Sequence, residues 1–398
     1  MSSSRPTATK TSLAILALIM LVNALAYGII IPLLYPYAER FGITPIGLSV
    51  MFASFSLAQF FATPILGRLS DRHGRKPWLI VSLFGTSVAL ALFALATNFW
   101  LLLVSRIVDG ITGGNISIAQ AMLADMTEGK DRAKAFGLLG ASFGFGFLVG
   151  PALGGLLSQF SITAPFWFAS AIALIATFCS MFFLKETHHT RQESSKHQPL
   201  FNFKLLWHAL ASPVTGLILF ISLASAIAQN AWIIGFQSFS VDTLRLTTRD
   251  TGLIFAGAGL VSIVMQSGGV RLLLKLLKSQ QRVLTYSLLG ATIVSAWLFF
   301  AVTPLLFTIG IFLYMIAFSP QMPMVGALLS EKTDKSDQGA ILGINQSYIS
   351  LGQVIGPLMA GVIATIATPA VFLFVAGTIA VAWVMSLRLN AQAHKVNF

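Results

Sequence analysis

The chain has 398 residues, 56% of them hydrophobic and only 10% charged, with a mean hydropathy of +0.82 and a formal net charge of +12. That composition excludes an ordinary soluble globular domain and points to an all-α integral membrane protein. Ten-residue stretches of period-2 alternation are missing, which argues against an outer-membrane barrel, and the single cysteine, Cys179, excludes an internal disulfide.

A transmembrane helix needs about 20 mostly apolar residues. Twelve segments qualify: 11–34, 46–68, 77–97, 99–124, 134–158, 163–184, 213–238, 250–271, 282–302, 304–329, 339–363 and 368–389, here numbered spans 1 to 12. The first resembles a signal peptide in having Arg5 and Lys10 ahead of it and the small-x-small site Ala24-Leu-Ala26. Its apolar run is too long for that and continues through Pro32, so it is expected to stay as a span.

Span 2 ends in Gly67-Arg-Leu-Ser-Asp71-Arg72-His-Gly74-Arg75-Lys76, a dense polar run between two apolar segments. Gly67 and Gly74 suit a sharp turn, and Asp71 suits a helix N-terminus, where free N–H groups favour negative charge. Span 4 carries Arg106-Ile-Val-Asp109-Gly110, followed by Gly113, Gly114 and Asn115. Arg106 and Asp109 are i, i+3 neighbours able to pair on one helical face. Charge inside a membrane is expensive and is read as functional by default. Two roles stay open, a proton-coupling pair or a permanent structural ion pair. Span 5 contains Gly146-Phe-Leu-Val-Gly150-Pro151-Ala-Leu-Gly154-Gly155, small residues for close helix approach and a proline for a bend.

The chain repeats itself. With an offset of 206 residues, Thr127, Asp131, Gly137, Gly146, Gly150, Pro151 and Gly155 meet Thr333, Asp337, Gly343, Gly352, Gly356, Pro357 and Gly361. Two six-helix bundles are expected, residues 1–184 and 211–398, joined by a polar linker at 185–210. The linker holds His188, His189 and His197, but no fixed scaffold, so no metal site is expected. If the N-terminus is cytoplasmic, 21 of the 25 Lys and Arg residues fall on the cytoplasmic side. This is the positive-inside pattern, with both termini cytoplasmic. The basic excess then reads as topology and membrane-lipid contact, not nucleic-acid binding.

The span 2 loop matches G-x-x-x-D-[RK]-x-G-R-[RK], and the chain resembles the major facilitator superfamily on that ground. Arg106 matches the R-x-x-x-G signature of proton-driven members, and span 5 the G-x-x-x-G-P-x-x-G-G pattern of the antiporter branch. Arg106-Ile-Val-Asp-Gly-Ile-Thr-Gly, Ala124-Asp125-Met-Thr-Glu-Gly and Phe143-Gly-Phe-Gly-Phe-Leu-Val-Gly-Pro are similar to tetracycline/proton antiporters, over about 46–190. The resemblance implies a twelve-helix drug:proton antiporter of the bacterial inner membrane, monomeric and driven by a proton gradient with no cofactor. It implies that Gly67, Asp71, Arg72, Gly74, Arg75 and Asp125 form a conformational latch, with Asp71 facing the start of span 11 near Gln338–Gly343 and Arg75 pairing with Asp125. The alternative for the loop is topological, its basic residues only pinning it inside. Gly146, Gly150, Pro151, Gly154 and Gly155 would form the antiporter hinge. The second-half copy of the loop, Gly269-Val-Arg271-Leu-Leu-Leu-Lys275-Leu-Leu-Lys278, has no acid. Those antiporters carry acids in helices 1 and 9 and a histidine in helix 8. The matching positions here, Asn23, Ser262 and approximately Ala291, are neutral, so tetracycline is not the expected cargo and coupling falls on Asp109 with Arg106.

Polar residues inside spans sketch a substrate cavity: Asn23 and Tyr27 on span 1, Asn115 and Gln120 on span 4, Gln229, Asn230 and Gln237 on span 7, and Asn345, Gln346 and Tyr348 on span 11. Uncharged amides and phenols suit an amphiphilic cargo with hydrogen-bonding groups. The leading expectation is a proton-coupled exporter of a drug, siderophore or metabolite. The alternatives are an uptake or facilitated carrier for a polar metabolite or metal chelate, and a membrane receptor that no longer transports. An enzyme is not expected, because no histidine lies in a span and no nucleophile sits beside a base.

Overall fold

The computed structural model describes residues 9–127, 129–187, 209–333 and 338–396. The linker histidines lie outside the described residues, as do the side chains of the acidic pair Asp131/Asp337. The described residues are helical, without a strand. In chain order the helices are α1 (Lys10–Glu39), α2 (Pro45–His73), α3 (Arg75–Ala94), α4 (Phe99–Thr112), α5 (Asn115–Met126), α6 (Gly129–Leu157), α7 (Ala164–Phe183), α8 (Thr215–Ser238), α9 (Thr248–Val264), α10 (Val270–Leu277), α11 (Gln280–Leu298), α12 (Pro304–Phe318), α13 (Gln321–Glu331), α14 (Gln338–Ile366) and α15 (Ala370–Val396). In lipid a backbone without water must bond to itself, which each helix does within its own segment.

Among the described residues, eleven helical stretches are long and apolar enough to cross a membrane. The remaining predicted span forms α11, 19 residues that open on Gln280, Gln281 and Arg282 and carry Thr285, Ser287 and Thr292. Span 8 runs from α9 into α10 through a π turn at Met265–Gly269, and two other predicted spans are interrupted by a turn. Span 4 breaks at Gly113–Gly114, where the Gly113 and Gly114 N–H groups bond the Gly110 and Thr112 carbonyls at 3.1 and 2.9 Å. Span 10 breaks at Ser319–Pro320, because Pro320 has no N–H to give the ladder. Span 1 runs past its predicted end to Glu39, since Tyr37 is buried and its hydroxyl donates to the Ala96 carbonyl at 3.2 Å.

The described residues form two compact units. Unit 1 takes the stretch up to Gly42, the stretch from Ser54 to the linker, and Thr248–Ala256; unit 2 takes Ile43–Ala53, the stretch from the linker to Thr247, and Gly257 onward. The repeat is visible in how each is packed. In unit 1 the small residues of α6 lie on α1: a Cβ at Gly150 would stand 2.8 Å from the Leu25 carbonyl oxygen and 3.1 Å from Gly28 Cα. In unit 2, α14 lies on α8 the same way, and a Cβ at Gly356 would stand 3.1 Å from the Ala231 nitrogen. Backbone on both sides leaves no room for a side chain, so dispersion between main chains holds these pairs. Gly155 then meets the start of α9 in unit 1, and Gly361 meets the start of α2 in unit 2. Spans 3 and 6 are stapled by Ser87 and Ser170, whose hydroxyls each donate to the other's carbonyl at 2.9 and 2.8 Å. Large apolar side chains such as Trp100, Phe160, Phe182, Leu305 and Ile366 stay exposed, as lipid-facing positions do.

Candidate functional site

Arg75 organises the polar end of α2 and α3. Gly74 has φ +98, a conformation that L side chains rarely adopt, and the turn it makes lets α3 begin at Arg75. The Arg75 guanidinium pairs with Asp71 one turn before it and reaches Asp125, at the end of α5, at 3.2 Å. It also donates to the Ser70 hydroxyl at 3.1 Å, which in turn donates to the Gly67 carbonyl at 2.7 Å. Arg72 is exposed in the last turn of α2.

Glu186 completes this cluster, although by sequence it belongs to the start of the linker. Its carboxylate accepts from the Arg75 and Lys76 backbone N–H groups at 2.9 and 3.0 Å, capping α3. Thr187 beside it donates to Asp125 at 3.5 Å. No local spacing announces a contact 111 residues apart in the chain; the only signal is an acid immediately after a span. A carboxylate on free helix N–H groups contributes about 1–2 kcal/mol. Glu186→Gln keeps one acceptor and loses the charge. Backbone amide exchange at Arg75 and Lys76 is expected to quicken about tenfold, and unchanged exchange would sink the capping role.

Arg106 and Asp109 lie on one face of α4 as a pair at 3.3 Å, with side chains 4% and 11% exposed. The Arg106 guanidinium also covers the Phe93 ring, 4.7 Å from its centroid. Phe93 belongs to a cluster with Phe166 and Tyr37, its ring centroid 4.7 and 5.4 Å from theirs. Arg106 Nε and Nη2 are buried and have no hydrogen-bond partner among the described residues. Gly110 lets α4 press on α2, its position 3.2 Å from the Gln59 nitrogen when given a Cβ, and Gln59 donates to the Gly113 carbonyl at 3.2 Å. Here the carboxylate can take up and lose a proton, and the buried guanidinium has donors with which to change partner.

Of the expected hinge residues, Gly146, Gly150 and Gly154 face α1, Pro151 lies against Gly28, and Gly155 faces Arg249 at the start of α9. The expected cavity residues divide. In unit 1, Tyr27 stacks on Phe147 at 6.3 Å, which meets Phe255 at 5.9 Å. Asn23 bonds back to the Ile19 carbonyl at 2.8 Å. Asn115 is buried at the span 4 break, accepting from the Ile116 N–H at 2.8 Å while its Nδ2 has no partner among the described residues. Gln120 is exposed. In unit 2, Asn230 bonds back to the Ala226 carbonyl at 2.9 Å, Gln346 is exposed, and Gln237, Asn345 and Tyr348 are buried. Gln229 is half-buried, its Oε1 without a hydrogen-bond partner among the described residues. Ser262 is occupied by Ser319 and Gln266, each at 3.1 Å. Sequence reasoning missed Tyr314 and Gln321, both buried in span 10. Gln321 stands 206 residues after Asn115, and each opens the second helix of a broken span.

A family model described as Major Facilitator Superfamily matches residues 16–321 and 278–397. The tetracycline resistance protein of class E from Escherichia coli is 32% identical over 357 residues, covering 86% of this chain and 85% of the relative. Multidrug resistance protein 2 of Bacillus subtilis (strain 168) is 33% identical over 362 residues, covering 89% of each. Among solved structures, the nucleoside transporter NupG superposes with a TM-score of 0.78 at 13% identity, over 96% of this chain and 99% of that one. The human organic anion transporter TETRAN does so with a TM-score of 0.69 at 21% identity, over 95% and 99%. At these identities the solved structures speak to the fold alone.

Proposed function

The chain belongs to the major facilitator superfamily, and we propose on that premise that it is a proton-coupled exporter of amphiphilic small molecules. It is a multi-pass membrane protein whose relatives are transporters, not enzymes. Alternating access in a bacterial inner membrane, with both termini cytoplasmic and a proton gradient as energy source, is the reading that the basic loops support. A monomer in contact with membrane lipid suffices for it, with no cofactor.

The observation that carries the reading is the buried Arg106–Asp109 pair with two spare guanidinium donor atoms. While Asp109 is ionised, Arg106 holds it. A proton on Asp109 cancels that attraction and releases a cation whose remaining N–H groups then bond elsewhere. Proton loading is thereby tied to a rearrangement at α4. The tetracycline and multidrug relatives support export as the direction. The neutral Asn23, Ser262 and Ala291 support an uncharged or weakly charged amphiphile over a metal chelate of tetracycline.

The test is substrate-induced proton release from inverted membrane vesicles, with a panel of amphiphilic drugs. Wild type is expected to dissipate the pH gradient with at least one compound, and Asp109→Asn with none. A compound that dissipates the gradient equally in both removes Asp109 from coupling; binding without proton movement in wild type points instead to an uncoupled carrier.

A further inference from the structure

A polar seam inside unit 2 lies outside the two charged clusters. One face of α8 presents Ser222, Ser225, Gln229 and Trp232, a single stripe at helical spacing. Span 10 answers with Tyr314, Phe318 and Gln321 across its break. The two stripes meet: Trp232 stacks on Tyr314 at 5.1 Å with ring planes 9° apart, and Ser225 donates to Gln321 Oε1 at 3.1 Å. Tyr314 stacks in turn on Phe318 at 5.2 Å.

On this seam Ser222 Oγ, Gln229 Oε1, Tyr314 Oη and Gln321 Nε2 are buried without a hydrogen-bond partner among the described residues. Tyr314 and Gln321 are both 0% exposed. Folded interiors leave few such groups, because each has lost water and gained nothing. Their chemistry is uneven in a useful way. Tyr314 and Gln321 offer donors, Gln229 offers an acceptor, and no charged side chain belongs to either stripe. Parallel rings lie beside them.

Building on the exporter reading, we propose that this seam is a cargo-recognition subsite for flat, uncharged aromatic molecules bearing a carbonyl group and an N–H. The carbonyl oxygen accepts from Gln321 Nε2 and Tyr314 Oη, the N–H donates to Gln229 Oε1, and the ring lies along the Trp232–Tyr314 stack. Buried polar groups without a partner reject a ligand that cannot bond them, so the seam confers selectivity as well as affinity. The break at Ser319–Pro320 separates α12 from α13, so the two halves of span 10 are not one continuous helical ladder.

The experiment is equilibrium binding of three neutral tricycles to the full-length protein in lipid nanodiscs: acridone with both groups, xanthone with the carbonyl alone, carbazole with the N–H alone. Wild type is expected to bind acridone about tenfold tighter than carbazole, with xanthone in between. Gln321→Leu should bring the acridone-to-carbazole ratio close to one. Tyr314→Phe keeps the ring stack and the fold and should lower the ratio by about threefold to tenfold. A wild type that binds none of the three, or shows no preference, overturns the proposal, as does a ratio unmoved by Tyr314→Phe and Gln321→Leu. Proton release from vesicles reads the exporter assignment separately. Export with an unmoved ratio removes only the seam; a shifted ratio in a protein that exports nothing removes only the exporter.

Discussion

Arg106→Ala is expected to abolish proton-coupled export, lowering the initial rate by about a hundredfold or more. The reason is the state in which it leaves Asp109. The carboxylate stays buried but without its cation. Breaking a buried pair by removing one partner costs about 3–5 kcal/mol, since the remaining charge is uncompensated. The protein has two ways to relieve this, to lose stability or to hold Asp109 protonated, and the second removes the proton cycle. The cation–π contact with Phe93 at 4.7 Å is lost as well. The double change Arg106→Met with Asp109→Asn separates structure from coupling. It removes both charges and should recover most of the melting temperature in detergent while export stays absent. Were export to return with the double variant, the pair would be a structural one; were Arg106→Ala to export at the wild-type rate, the pair would have no part in transport.

The second large effect is expected at Arg75. Its guanidinium serves Asp71, Asp125 and Ser70 together, with the Asp125 contact at 3.2 Å. The partners are 44% and 26% exposed, so solvent screens the pairs and the stability lost in Arg75→Ala is modest, about 1–2 kcal/mol. The functional loss should be larger, about tenfold in initial export rate, because three elements, α2, α3 and α5, lose their common tie. Arg75→Lys keeps charge but cannot serve several acceptors in different directions, and should recover only part of the rate. Initial rates in inverted vesicles, normalised to folded protein, give the answer. Wild-type export by Arg75→Ala would leave the cluster as a device that only pins the loop.

Both sites are legible in the amino-acid sequence because their logic is local. Arg106 and Asp109 are one helical turn apart, and the Gly74-Arg75 turn sits where a polar run separates two apolar spans. Glu186 is not legible there, since its partners are the free N–H groups of a helix more than a hundred residues earlier. The amides illustrate the same limit. Asn23, Asn115, Gln229 and Asn230 look alike as polar residues in apolar spans, yet Asn23 and Asn230 bond back to their own helices while Asn115 and Gln229 keep buried atoms unpartnered. Tyr314 and Gln321 give no sign, because an aromatic or an amide in a span reads equally well as packing.

What the sequence by itself determined is the all-helical membrane fold, the place of each span along the chain, the repeat and the family. Hydrocarbon leaves no backbone polar group unbonded, so apolar runs of about 20 residues without period-2 alternation become helices. What only the tertiary structure decided is where spans 4 and 10 break into paired helices, which acid caps α3, and which buried donors and acceptors are left unsatisfied. Those depend on side chains brought together from distant parts of the chain, where helix facing and contact distance, not spacing along the sequence, set whether a polar group is bonded or waiting for a ligand.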